Sequence, residues 1–100
     1  MPVFLPKEPA RKELQLTAVL YALSDDVRLA IVRQLAAKGE LPCGVFEVDR
    51  PKSSLSHHFR MLRESGVVSS RKDGTLLINR LRREDLEARF PGLLKAILRG

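Results

Sequence analysis

Apolar positions along the chain follow a helical spacing in four blocks, and two short strand-like segments flank a charged turn. Between about Pro9 and Leu23, Leu14, Leu16, Ala18, Val19, Leu20, Tyr21 and Leu23 leave almost no polar side. A helix that is apolar on two sides can bury one against its own domain and the other against a partner chain. Ser24-Asp25-Asp26 supplies an N-cap with acids in the first turn. Val27, Ile31 and Leu35 then recur at i, i+4 and i+8 until Gly39 stops the helix. Val45-Phe46-Glu47-Val48 has β-type residues in too short a run to classify, and Pro51 keeps Arg50 extended.

A further helix starts near Ser53. At 100° per residue, Leu55, Phe59 and Leu62 fall within about 60° of each other and make its buried edge. Ser53, Ser56, His57, Arg60 and Glu64 gather on the opposite face, with His58 at the margin of the buried one. Gly66 ends the helix. Val67 to Lys72 leads into Asp73-Gly74, the sequence of a two-residue type I′ turn, and Thr75 to Arg80 returns as the second strand. The tail is helical from Arg83, interrupted at Phe90-Pro91, and carries Leu93, Leu94, Ile97 and Leu98 as an apolar stripe, with Pro91 suited to open its second part. The pattern predicts a mostly α chain with a small β-hairpin (α+β): helices near residues 9–23, 25–38, 53–65 and 83–98, and a hairpin near 67–80. Residues 1–8 read as an extended arm, and 9–100 as a single domain.

One hundred residues make one domain. A domain of this size buries only roughly 65% of its unfolded surface, so a dimer interface would add useful burial. No apolar run approaches the roughly 20 residues that span a bilayer, and the N-terminus, with Pro2, Pro6 and Pro9, lacks the core of a signal peptide. A cytoplasmic protein is expected. Cys43 is the only cysteine, so no intrachain disulfide can form.

Charge matters through its distribution. The formal net charge is +6. From Arg50 to Arg83 there are nine basic residues and two acidic ones, a net +7, while the remainder has nine basic against ten acidic, a net −1. The excess therefore sits with the helix at 53–65 and the hairpin, and a duplex phosphate backbone is the polyanion such a patch fits. A helix entering the major groove needs short facing side chains that can hydrogen-bond base edges. Ser53, Ser56 and His57 meet that need, Ser54 flanks them, Arg60 can pair with guanine or phosphate, and Lys52 is placed for a phosphate. Arg71, Lys72 and Thr75 in the hairpin could reach phosphate or the minor groove.

Other chemistry is sparse. Adjacent His57 and His58 lie about 100° apart on a helix and cannot chelate one metal from one face. No paired carboxylates, nucleophile elbow or phosphate-binding glycine loop is present, so no catalytic residue, metal or cofactor is expected. Cys43 could be an incidental thiol or a redox switch.

Ala22-Leu23-Ser24-Asp25-Asp26-Val27-Arg28-Leu29-Ala30-Ile31, the run from Ser54 to Val68, and the charged turn at Gly74 together resemble the ArsR family of bacterial winged helix-turn-helix repressors, over roughly Leu23 to Leu81. The resemblance implies a winged helix whose recognition helix is 53–65. It also implies a homodimer formed through the first and last helices, with Leu16, Val19, Leu20, Leu93, Leu94, Ile97 and Leu98 at the interface. Such a dimer would bind double-stranded DNA at an inverted-repeat operator and repress transcription. The chain departs from the metal-sensing members, which carry paired cysteines after the second helix or histidine and carboxylate ligands on the last. Val45 to Pro51 is also shorter than the helix that normally precedes the recognition helix, and Thr75 stands where a basic residue often follows the wing glycine. Three readings compete: a DNA-binding repressor, a winged-helix module that binds protein, and a regulator responsive to redox through Cys43 or to an unidentified small molecule between the first and last helices.

Overall fold

In a computed structural model, residues 7–46 and 51–100 are described, except for the side chains of Lys52 and Ser53. Most of the expected arm, residues 1–6, and the segment 47–50 lie outside them.

The first helix starts later than the apolar pattern implies. A single 3-10 turn at Arg11–Glu13 is followed by extended backbone at Leu14 and Gln15, and helix α1 runs from Leu16 to Leu23. The break has a tertiary cause: Leu14 is turned under the domain, where it is 1% exposed. Helix α2, Asp26–Lys38, begins at the expected cap, with Asp25 accepting hydrogen bonds from the Val27 and Arg28 amides at 2.8 and 3.2 Å. Gly39, at φ 82°, closes it.

A short strand β1, Leu41–Pro42, and a 3-10 turn at Cys43–Val45 follow. Strand β1 adds a third, edge strand to the hairpin, pairing antiparallel with Ile78 and Asn79, a position where proline's missing N–H is tolerated. Helix α3, Lys52–Ser65, ends at Gly66 in the left-handed conformation. The Gly66 amide bonds to Arg63 O and the Val67 amide to Leu62 O, which is the Schellman arrangement.

Strands β2, Val68–Asp73, and β3, Leu76–Leu81, form the hairpin, and the sheet order is β1-β3-β2. Asp73 pairs with Leu76, so the turn residues are Gly74-Thr75 rather than Asp73-Gly74. A type I′ turn needs positive φ at both central residues; here only Gly74, at 63°, has it, as in a II′ turn with glycine first. The tail forms two helices, α4 (Arg83–Arg89) and α5 (Leu93–Arg99). Pro91 precedes α5 instead of opening it: Gly92, at φ 83°, is the N-cap.

The core is closed by Ile31, Val32 and Leu35 of α2, Leu62 of α3, and Val67 and Val68 at the root of β2, all 0–1% exposed. Helix α1 spends Val19, Ala22 and Leu23 on this core and leaves Leu16, Leu20 and Tyr21 outside. Of the residues expected at a pairing face, Val19 and Leu94 thus belong to the chain's own core, at 1% and 7% exposure; Leu93, Ile97 and Leu98 are half-buried.

The N-terminal segment is fastened to the rest by polar contacts. The Glu8 carboxylate accepts from Ser69 Oγ and the Ser70 amide at 2.7 and 2.9 Å. Arg82 Nη1 donates to Pro9 O, while Asp85 accepts from both Arg11 and Arg82. Hydrogen bonding by Arg11 and then Arg82 holds the Asp85 carboxyl below its usual range, against the opposing effect of burial.

Gly66 is where this segment meets α3. A Cβ there would lie 2.1 Å from Leu14 Cδ2 and 3.0 Å from Pro9 Cγ, at a φ of 84° that side chains disfavour. Gly66→Ala should therefore destabilise the fold by about 1–3 kcal/mol in urea unfolding. A change within about 0.5 kcal/mol of zero, the range of ordinary surface substitutions, would mean that Leu14 is not held as described.

Candidate nucleic-acid interface

Phe59 and Leu62 are 2% and 0% exposed, and Phe59 meets Phe46 edge-to-face at 5.0 Å between centroids. Fixing that edge inward turns Ser56, His57 and Arg60 outward, where all three are exposed. Ser54 is half-buried, and Lys52 and Ser53 fall in the first turn of α3 with side chains outside the described part. Among the described residues, Arg60 is engaged only by Glu64, one turn along, at 3.1 Å. Such an exposed i, i+4 pair is worth roughly 0.3–0.5 kcal/mol, which a phosphate or a base edge can outbid.

A buried polar network sets the position of α3. Arg28 of α2, 6% exposed, donates from Nε to Ala22 O at 2.7 Å and from Nη2 to Tyr21 O at 3.3 Å, covering the C-terminal carbonyls of α1. Its Nη1 lies 3.2 Å from His58 Nδ1 on α3. A guanidinium can only donate, so that contact requires Nδ1 to accept. Asp25 Oδ1 stands 3.9 Å from the same ring nitrogen. One arginine thus joins the end of α1, the start of α2 and the inner side of α3. Sequence patterning places His58 at the buried margin but gives no signal for Arg28, because a long cation in an amphipathic helix reads as surface.

The hairpin residues divide between its two faces, as alternation along a strand requires. Lys72 pairs in register with Leu77, which lines a cavity shared with α3, whereas Arg71 pairs with Ile78 on the other face. Arg71 is bound to Glu40, just before β1. Arg80, unremarked among the sequence candidates, shares a shallow polar cleft with Arg71, Ser69 and Ser70. Its position two residues beyond Ile78 on a strand was the available signal. Thr75 is exposed at the turn, next to Gly74.

Cys43 is half-buried, and Asn79 Nδ2 lies 3.1 Å from its sulfur. Among the described residues no group of three or more His, Cys, Asp or Glu side chains could hold a metal ion. No helix among them is long and apolar enough to cross a membrane.

The Asp25 carboxyl sits below the usual carboxylate range. Burial works against this, but the hydrogen bonds from the Arg28 and Val27 amides, together with the Arg28 charge, outweigh it. A depressed carboxylate contributes stability above its unfolded pKa, about 4, and loses it as pH falls through the folded value. Asp25→Asn keeps a good cap but removes the charge. It should cost about 0.5–1 kcal/mol at pH 7 and nearly nothing at pH 2 in urea unfolding. An equal cost at both pH values would show that the charge is irrelevant.

Comparison with known proteins agrees with this geometry. A helix-turn-helix domain profile matches residues 23–71. The HTH-type transcriptional regulator YceK of Bacillus subtilis (strain 168), itself uncharacterised, is 38% identical over 82 residues, covering 79% of this chain and 82% of that protein. The transcriptional repressor BigR of Xylella fastidiosa superimposes with a TM-score of 0.61 at 30% identity, over 75% of this chain and 85% of BigR. The crystal structure of an ArsR family transcriptional regulator superimposes with a TM-score of 0.68 over 90% of this chain and 92% of that one, at 22% identity, a likeness of fold. With its winged helix and these relatives, the chain belongs to the ArsR family of helix-turn-helix transcriptional regulators.

Proposed function

We propose that the chain is a cytoplasmic homodimeric repressor that binds double-stranded DNA at an inverted-repeat operator. The observation that carries this reading is the division of α3: Phe59 and Leu62 are sealed in the core while Ser56, His57 and Arg60 stand bare beside the wing. In a twofold dimer, two copies of α3 enter successive major grooves about one helical turn apart, which calls for a palindromic site. Lys72, Thr75 and, after exchange of its Glu40 partner, Arg71 serve the backbone or the minor groove. Lys52, Ser53 and Ser54 fall at the N-terminal end of α3, which enters the groove in this arrangement. BigR, a transcriptional repressor, supports the sign of regulation.

Dimerisation uses α1 together with the tail. Leu16 and Leu20 are each 44% exposed and Tyr21 62%, an apolar strip on one side of α1, and Leu93, Ile97 and Leu98 of α5 are half-buried. A second copy covering this strip supplies the burial that a 100-residue chain is short of.

Two measurements test the reading, using duplexes selected from a random pool by the purified protein. Arg60→Ala, and separately Arg71→Ala with Lys72→Ala, should each weaken binding about fivefold to a hundredfold, with the salt dependence shallower by roughly one unit per lost phosphate contact. Unchanged affinity in both variants would show that the recognition surface lies elsewhere. Leu16→Glu with Leu20→Glu should sediment as a folded monomer and bind the palindrome at least about tenfold more weakly, since each half-site then binds alone. A variant that remains dimeric contradicts the interface.

A further inference from the structure

A pocket of about 410 Å³ opens between the Cys43–Val45 turn, α3 and the wing, within the roughly 300–1,000 Å³ typical of small-molecule sites. Phe46, Leu55, Phe59 and Leu77 give it apolar walls, and Cys43 and Arg63 line it as well. Arg63 is the unusual member. It is 8% exposed, and among the described residues its Nε has no hydrogen-bond partner and Nη1 reaches only Ser70 Oγ, at 3.5 Å. None of the ion pairs among the described residues includes it. The other buried arginines, Arg28 and Arg82, are satisfied by carbonyls or a carboxylate. A buried cation without a directly paired anion is costly, and here that charge lines an apolar cavity.

We propose that this pocket binds a small organic monocarboxylate, its carboxylate on the Arg63 guanidinium and its apolar body against Phe46, Leu55, Phe59 and Leu77. One guanidinium fits one negative charge, and the apolar walls disfavour inorganic phosphate or a polyanion. Burial lowers the Arg63 pKa, which is the desolvation that a bound anion relieves; the nearby Cys43, Glu8 and Glu64 act in the opposite direction. Ser56 belongs both to the pocket's lining and to the outward edge of α3. Occupancy and DNA binding are therefore coupled reciprocally. That coupling rests on the proposed DNA-binding function, whereas occupancy does not.

Octanoate serves as the probe, with 1-octanol as its uncharged counterpart, both titrated calorimetrically into the protein without DNA. Octanoate should bind at least tenfold more tightly than octanol, and Arg63→Met should abolish that preference. In the unmutated protein, saturating octanoate should slow alkylation of Cys43 by iodoacetamide at least threefold, a readout that does not depend on the variant's folding. The proposal is overturned if octanoate does not bind at millimolar concentration, if octanol binds equally well, or if octanoate binds without protecting Cys43.

Discussion

The burial of Phe59 and Leu62 on one edge of α3 decides which side chains are left on the other. A 14-residue helix is stiff, so seating one edge among Phe46, Leu35 and Val67 places Ser56, His57 and Arg60 without any force acting on them directly. Two further contacts remove the remaining freedom. The Schellman closure at Gly66 pins the C-terminal end beneath Leu14, and Arg28 ties His58 to the junction of α1 and α2. The outward face is thus a product of core packing, which is why it can carry short polar side chains that stabilise nothing themselves.

What could be read from the sequence follows from how local each signal is. Helices α2 and α3 and the hairpin announce themselves through periodicity, the Asp25 cap and Gly66, all of which act within a few residues. The start of α1 does not, because Leu14 is drawn out of helical geometry by a contact with Gly66, some fifty residues away. The turn shifts by one residue because strand pairing, rather than the attractive Asp-Gly dipeptide, sets the register. In α1 and α5 the apolar pattern cannot say which of two apolar sides faces inward, so Val19 and Leu94 look equivalent to Leu16 and Leu20 until packing separates them. Arg28 and Arg63 escape the pattern altogether, since residue type alone assigns arginine to the surface.

That last point alters the electrostatic picture. Nine basic residues between Arg50 and Arg83 make a strong patch on paper, but Arg63 and Arg82 are 8% and 7% exposed, and Arg82 is neutralised by Asp85. Arg71 and Arg60 carry carboxylate partners at the surface. The field that reaches a DNA phosphate is therefore smaller than the count implies, and part of it becomes available only when those surface pairs exchange. Exchange is cheap where both partners are wet. It is not cheap at Arg63, which is buried and forms no direct ion pair among the described residues. The same residue type thus does three jobs in one stretch of chain: exchangeable contact at Arg60 and Arg71, structural tie at Arg82, and at Arg63 a buried charge held at the edge of an apolar pocket.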